Sequence, residues 1–132
     1  MACPFFLPHH RLDSEAWNPA PRLPLVDAWS GTCCAPPAGP FEPREDVLRE
    51  LCNMGYARGR CRYFPADAIA DAVRFSASEN SAGDPRILFV IEKNHVPIQH
   101  GEFDSNTAAL PLAAQGRAFL DSHARLRAIS VR

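Results

Sequence analysis

Nine of the 13 prolines fall within residues 1–43. Proline lacks the backbone donor and fixes φ, so a stretch carrying Pro4, Pro8, Pro19, Pro21, Pro24, Pro36, Pro37, Pro40 and Pro43 cannot build a long helix or a central strand. The same stretch holds Phe5, Phe6, Trp17, Trp29, Phe41 and the apolar run Leu23-Pro24-Leu25-Val26, which a solvated linker would avoid. Residues 1–43 therefore read as an extended arm laid over the rest of the fold. Extended chain satisfies few of its own backbone groups, so such an arm needs to be tied down, and a metal centre would tie it.

The remaining residues carry ordinary element signals. With 132 residues the chain has room for one domain, and 46% apolar with 22% charged residues is globular composition. Residues 44–71 read as helical. A first helix opens after Pro43 with Glu45 and Asp46 and carries the stripe Val47, Leu48, Leu51, Cys52, ending at Gly55 or Gly59. A second short helix follows Pro65. Alternation at Val73, Phe75 and Ala77, turn residues over 80–85 and the apolar run Ile87-Leu88-Phe89-Val90-Ile91 predict an antiparallel hairpin over 72–93. Residues 94–111 read as irregular. A final helix over 112–128 presents Leu112, Gly116, Phe119, His123 and Leu126 on one face. The fold class is α+β: a single small domain with an extended proline-rich arm, a cysteine-bearing helix, a hairpin and a C-terminal helix.

No apolar run approaches the roughly 18 residues of a spanning helix, and the start Met1-Ala2-Cys3-Pro4-Phe5-Phe6-Leu7-Pro8 lacks a basic leader region. A cytoplasmic protein without a membrane partner is the expectation. In that compartment thiols stay reduced, and five cysteines cannot all pair in any case. Four ligands and one spare would account for them.

The segment Cys52-Asn53-Met54-Gly55-Tyr56-Ala57-Arg58-Gly59-Arg60-Cys61 is the most informative. Two glycines let the backbone reverse close to an inorganic group, and freed N–H groups at such a turn donate to sulfur. Arg58, Arg60 and Arg62 surround Cys61 with the positive charge that a four-thiolate centre calls for. Cys3 precedes Pro4, and Cys33-Cys34 lies between Gly31-Thr32 and Ala35-Pro36-Pro37, irregular backbone of the kind that holds cluster ligands. The expected metal ligands are Cys3, Cys33, Cys52 and Cys61, with Cys34 as the alternative to Cys33 and the three arginines as the second layer. No CxxC pair is present, so neither a zinc ribbon nor a bacterial ferredoxin run is found. A [4Fe–4S] cluster in an electron-transfer, redox-sensing or accessory protein is the leading reading. A zinc-stapled interaction module is the alternative and a small cysteine-dependent enzyme the third, while the plain reading makes Cys52 a core residue.

Other residues weigh less. His95 and His100 follow a buried strand, where ring nitrogens ordinarily satisfy backbone carbonyls; His100, beside Gly101, is the better candidate for an additional site role. His9 and His10 read as solvated, and His123 as packed on its helix face. Gly55-x-x-x-Gly59 lacks the Lys-Ser/Thr of a phosphate loop. Arg58, Arg60 and Arg62 interleave with Tyr56, Tyr63 and Phe64, but a formal net charge of −1 argues against nucleic acid and for a protein redox partner or larger complex.

Overall fold

Two strands of the arm find their hydrogen-bond partners in each other. In the computed structural model, which describes residues 2–12, 28–37, 39–79, 81–83 and 85–130 (backbone alone at 85 and 126–130), β1 (Phe6–Arg11) pairs antiparallel with β2 (Trp29–Cys33). The register runs from Phe6 opposite Cys33 to Arg11 opposite Trp29, with an irregularity between Pro8 and His10. A two-stranded ribbon has only edges, and that is where proline is tolerated. A Cβ at Gly31 would collide with the Leu7 carbonyl, so close backbone approach fixes glycine there. The described parts of the arm are thus better hydrogen-bonded than extended chain alone would be. Trp17 and Leu23 to Val26 lie outside the described residues.

Between the arm and the sheet the chain makes α1 (Glu45–Val47), a single turn that runs into a π-helical turn over Leu48–Cys52. The Asn53 N–H reaches the Leu48 carbonyl, five residues back, at 3.0 Å. The helix expected over this segment is therefore shorter and wider than its apolar stripe implies. The second helix expected after Pro65 does not form. Residues 65–70 are turns, because the carbonyls of Ala66 and Ala68 accept from the Arg58 guanidinium at 2.9 and 2.6 Å instead of from helical N–H groups.

β3 (Ala72–Glu79) and β4 (Pro85–Lys93) form the expected hairpin, in register from Ala72 opposite Glu92 to Glu79 opposite Pro85. The segment read as irregular supplies a third strand, β5 (Val96–Glu102), on the far side of β4, so the sheet order is β3-β4-β5. Asn94 and His95 make the two-residue turn between β4 and β5, with φ of 51° and 65°, the left-handed pair that matches strand twist. β5 escapes pattern reading because it is an edge strand with no buried residue, and Pro97, which cannot continue a ladder, sits where an edge accepts it.

The chain ends in α2 (Leu112–Ser130), which covers the expected 112–128. Phe119 stacks on Phe75, and a Cβ at Gly116 would overlap the Phe103 ring, so α2 lies directly on the aromatic core. The arm enters that same core through Ala2, Cys3, Phe6 and Trp29. Ala2 exchanges backbone hydrogen bonds with Val73 of β3 at 2.9 and 2.8 Å. Five antiparallel strands in two sheets and two helices make a mixed α+β domain. Among the described residues no helix is long and apolar enough to cross a membrane.

Candidate metal centre

Pro4 begins the geometry of the site. It occupies the second position of a turn in which the Phe6 N–H donates to the Cys3 carbonyl at 3.1 Å, and the turn aims the Phe5 N–H at the Cys3 thiol. Gln115 of α2, fully buried, locks this turn: its Nε2 donates to the Cys3 and Phe6 carbonyls, each at 2.8 Å. The Cys3 N–H in turn donates to the Cys52 carbonyl at 3.0 Å, which is free because the π-turn ends there. Two of the cysteines are thereby joined through their backbones.

Cys33 closes β2, opposite Phe6 and bridged on its other side to Phe41 by hydrogen bonds of 2.8 and 3.2 Å. Its thiol receives the N–H of Ala35, again two residues ahead. Asn53 fastens this strand to the π-turn. Its Oδ1 accepts from the Trp29 N–H at 3.0 Å, and its Nδ2 donates to the carbonyls of Trp29 and Leu48 at 2.9 and 3.0 Å. Cys61 ends a turn in which its N–H reaches the Ala57 carbonyl at 2.8 Å, after left-handed backbone at Gly55, Tyr56 and Gly59.

Cys3, Cys33 and Cys52 are buried and Cys61 is half-buried, whereas Cys34, whose N–H donates to the Phe5 carbonyl, has an exposed side chain. Burial pushes the Cys3 thiol up to about 12 against the lowering effect of the Phe5 N–H, and the proximity of Cys33 and Cys61 adds to the rise. Burial also raises Cys52, with further contributions from Cys3, Cys33 and Cys61. Cys33 is raised by burial and by Cys61 and Cys34. Cys3, Cys33 and Cys52 therefore each feel the charge of neighbouring cysteines, Cys61 among them. Among the described residues no three His, Cys, Asp or Glu side chains converge closely enough to hold a single metal ion. The donor set is all thiol, deprotonated when it binds metal, with N–H groups already pointing at two of the sulfurs.

The arginines divide in their surroundings. Arg58 is engaged: its Nε meets Asp71 Oδ1 at 2.7 Å, its terminal nitrogens hold the Ala66 and Ala68 carbonyls, and its guanidinium lies 5.0 Å from the Phe64 ring centre. Arg60 and Arg62 are exposed, with Arg62 over the Tyr63 ring at 5.1 Å. His100 is exposed on β5 opposite Val90, on a strand that carries none of the thiols. His95 stacks on Tyr56 at 4.2 Å, His9 bonds Thr32 Oγ1 at 2.8 Å, and His123 stacks on Phe119 at 5.9 Å.

A polar clamp ties the Cys52–Cys61 loop to the sheet. The Tyr56 hydroxyl donates to buried Glu92 at 2.6 Å and accepts from the His95 N–H at 2.9 Å, while Arg74 pairs with Glu92 at 3.0 Å. Burial, with the Glu92 bond adding to it, pushes the Tyr56 phenol up to about 12. Asp71 joins both halves, accepting from Arg58 and from the Asn94 N–H at 2.8 Å. Its burial alone would raise its pKa, but the Asn94 N–H and then Arg58 outweigh that and hold the carboxyl below the usual range. A depressed folded-state pKa contributes stability that is complete above the ordinary aspartate value of about 3.9 and is lost as pH falls through the folded value. Acid titration of folding should therefore show a loss as pH falls below about 4 that Asp71→Asn flattens, read by circular dichroism. An unchanged acid limb in that variant would remove Asp71 from the account.

Sequence reasoning does not single out Asn53, Gln115 or Asp71. Each is a polar residue whose burial depends on a partner far along the chain, and only the position of Asn53 directly after Cys52 hints at its role. No protein-family model, curated protein or solved structure matches this chain.

Proposed function

We propose that Cys3, Cys33, Cys52 and Cys61 ligate a [4Fe–4S] cluster, and that the protein is a small cytoplasmic electron-transfer, redox-sensing or accessory protein working with a protein partner. The observation that carries this reading is a set of four cysteines from separate segments, three buried and Cys61 half-buried, with Cys3 and Cys52 joined by a backbone hydrogen bond and neighbouring cysteine charges acting on Cys3, Cys33 and Cys52. Burial keeps these thiols neutral without metal, and a cationic cluster would bind them as thiolates. Each thiolate of a cubane would bind a different iron. The N–H groups of Phe5 and Ala35 would donate to ligated sulfur and favour the reduced state. Exposure of Cys34 favours Cys33 as the ligand.

Protein purified without oxygen should be brown, absorb broadly near about 400 nm and contain about four iron and four sulfide per chain. Colourless protein with one zinc would replace the cluster by a structural ion. Metal-free protein after reconstitution with iron and sulfide would end the metal reading.

A further inference from the structure

The cluster reading leaves one side of the centre less covered than the others. Three of the four thiols are buried and Cys61 is half-exposed. The surface around it is shaped by residues that the centre itself does not use. Tyr63 is 38% exposed and packs on Phe41 at 4.6 Å, and the Arg62 guanidinium lies over the Tyr63 ring at 5.1 Å. Phe41 is the residue bridged to Cys33, so the aromatic pair joins the segments of two proposed ligands. Arg60 and Arg62 are exposed on either side of Cys61, whereas the charge of the neighbouring Arg58 is taken up by Asp71. Tyr, Phe and Arg are the residue types enriched in protein interfaces, and an exposed aromatic backed by a second ring presents a rigid anchor.

We propose that Phe41, Arg60, Arg62 and Tyr63 form the docking surface for an acidic protein that is a one-electron carrier, and that the electron crosses at Cys61. The proposal rests on the cluster reading. One electron leaves the reduced centre of the partner and converts the [4Fe–4S]²⁺ core to [4Fe–4S]⁺, with no proton or group transferred. Charge complementarity decides the partner: two exposed guanidinium groups with no ion pair among the described residues favour a carboxylate-rich surface, and their attraction speeds encounter more than it tightens the complex. Two cations on a chain of net charge −1 are few for a nucleic-acid surface, which needs a run of phosphate contacts.

The test is stopped-flow reduction of the cluster-loaded protein by reduced flavodoxin, an acidic one-electron flavoprotein, over a range of salt. The rate should fall as salt rises, and the double variant Arg60→Ser/Arg62→Ser should react roughly tenfold more slowly at low salt. The variant should keep the parent's iron content and visible spectrum, which separates docking from damage to the centre. Equal flavodoxin rates for variant and parent would overturn the proposal, as would salt-sensitive RNA binding lost in the variant together with a salt-independent flavodoxin rate. Failure of the cluster reading is distinct: it appears earlier, as protein that holds no iron or sulfide, and it overturns the electron crossing with it.

Discussion

Cys52→Ser should reduce iron content to less than roughly a tenth of the parent value after identical anaerobic reconstitution, while Cys34→Ser retains it in full. Loss of a residue that only orients a ligand commonly weakens a metal site 10- to 100-fold, so loss of a ligand should do at least as much. Cys52 is the most telling of the four because it is buried, its carbonyl holds the Cys3 N–H, and its thiol feels all three others. A serine hydroxyl is a harder donor and shorter than a thiolate, and burial gives no room for the backbone to compensate. The fold itself should survive. β3, β4 and β5 are laced by their own ladder, and far-UV circular dichroism of the variant should stay close to that of the parent. Iron retained by Cys52→Ser, or lost equally from Cys34→Ser, would move the centre elsewhere.

Asn53→Ala should destabilise folding by about 3–5 kcal/mol, because it leaves the buried N–H and C=O of Trp29 without partners at about 1–3 kcal/mol each and opens a small void. Both Trp29 groups depend on this one side chain, which is itself 1% exposed. In a domain of this size the loss corresponds to a melting temperature lower by on the order of 10 °C. Asn53→Asp keeps the acceptor for the Trp29 N–H but sets a second acceptor oxygen against the Trp29 and Leu48 carbonyls, so it should be destabilising as well. Thermal melts followed by circular dichroism will order the three proteins. A melting temperature for Asn53→Ala within about 2 °C of the parent would show that the Trp29 backbone finds other partners. Because Asn53 anchors β2, the same variant should also lower iron occupancy by displacing Cys33, an effect that a purely global loss of stability would not produce at low temperature.

The parts of this fold that read clearly in the sequence are those where burial imposes a period. Val73, Phe75 and Ala77 alternate because one face of β3 meets the core, and Gly116 and Phe119 recur at helical spacing because one face of α2 does. β5 escaped because no residue of it is buried, so nothing selects an alternating pattern. The helix expected after Pro65 failed because the local sequence favours a turn once a distant cation takes its carbonyls, and that competition has no local signature. The cysteines stand out in the sequence through their number and their turn-rich settings. The partners that position them do not. Gln115 holds Cys3 from 112 residues away, and Arg58, which resembled a counter-charge for thiolates, is paired with Asp71.

The ladder between β1 and β2 also has a consequence for how such a site would change over evolutionary time. Arg11 stands opposite Trp29, and the Leu12 N–H meets the Ala28 carbonyl at 2.7 Å, so the two strands are closed at the base of the connection that links them. The ladder itself sets Phe6 opposite Cys33, whatever the length of that connection. The interval from Cys52 to Cys61 has no such freedom, because left-handed Gly55, Tyr56 and Gly59 and the Tyr56–Glu92 and Arg58–Asp71 bonds each fix a step of it. Descendants of one ancestral chain would keep the short interval and let the long one drift, so that ligand spacing would be a signature at one end of the site and noise at the other.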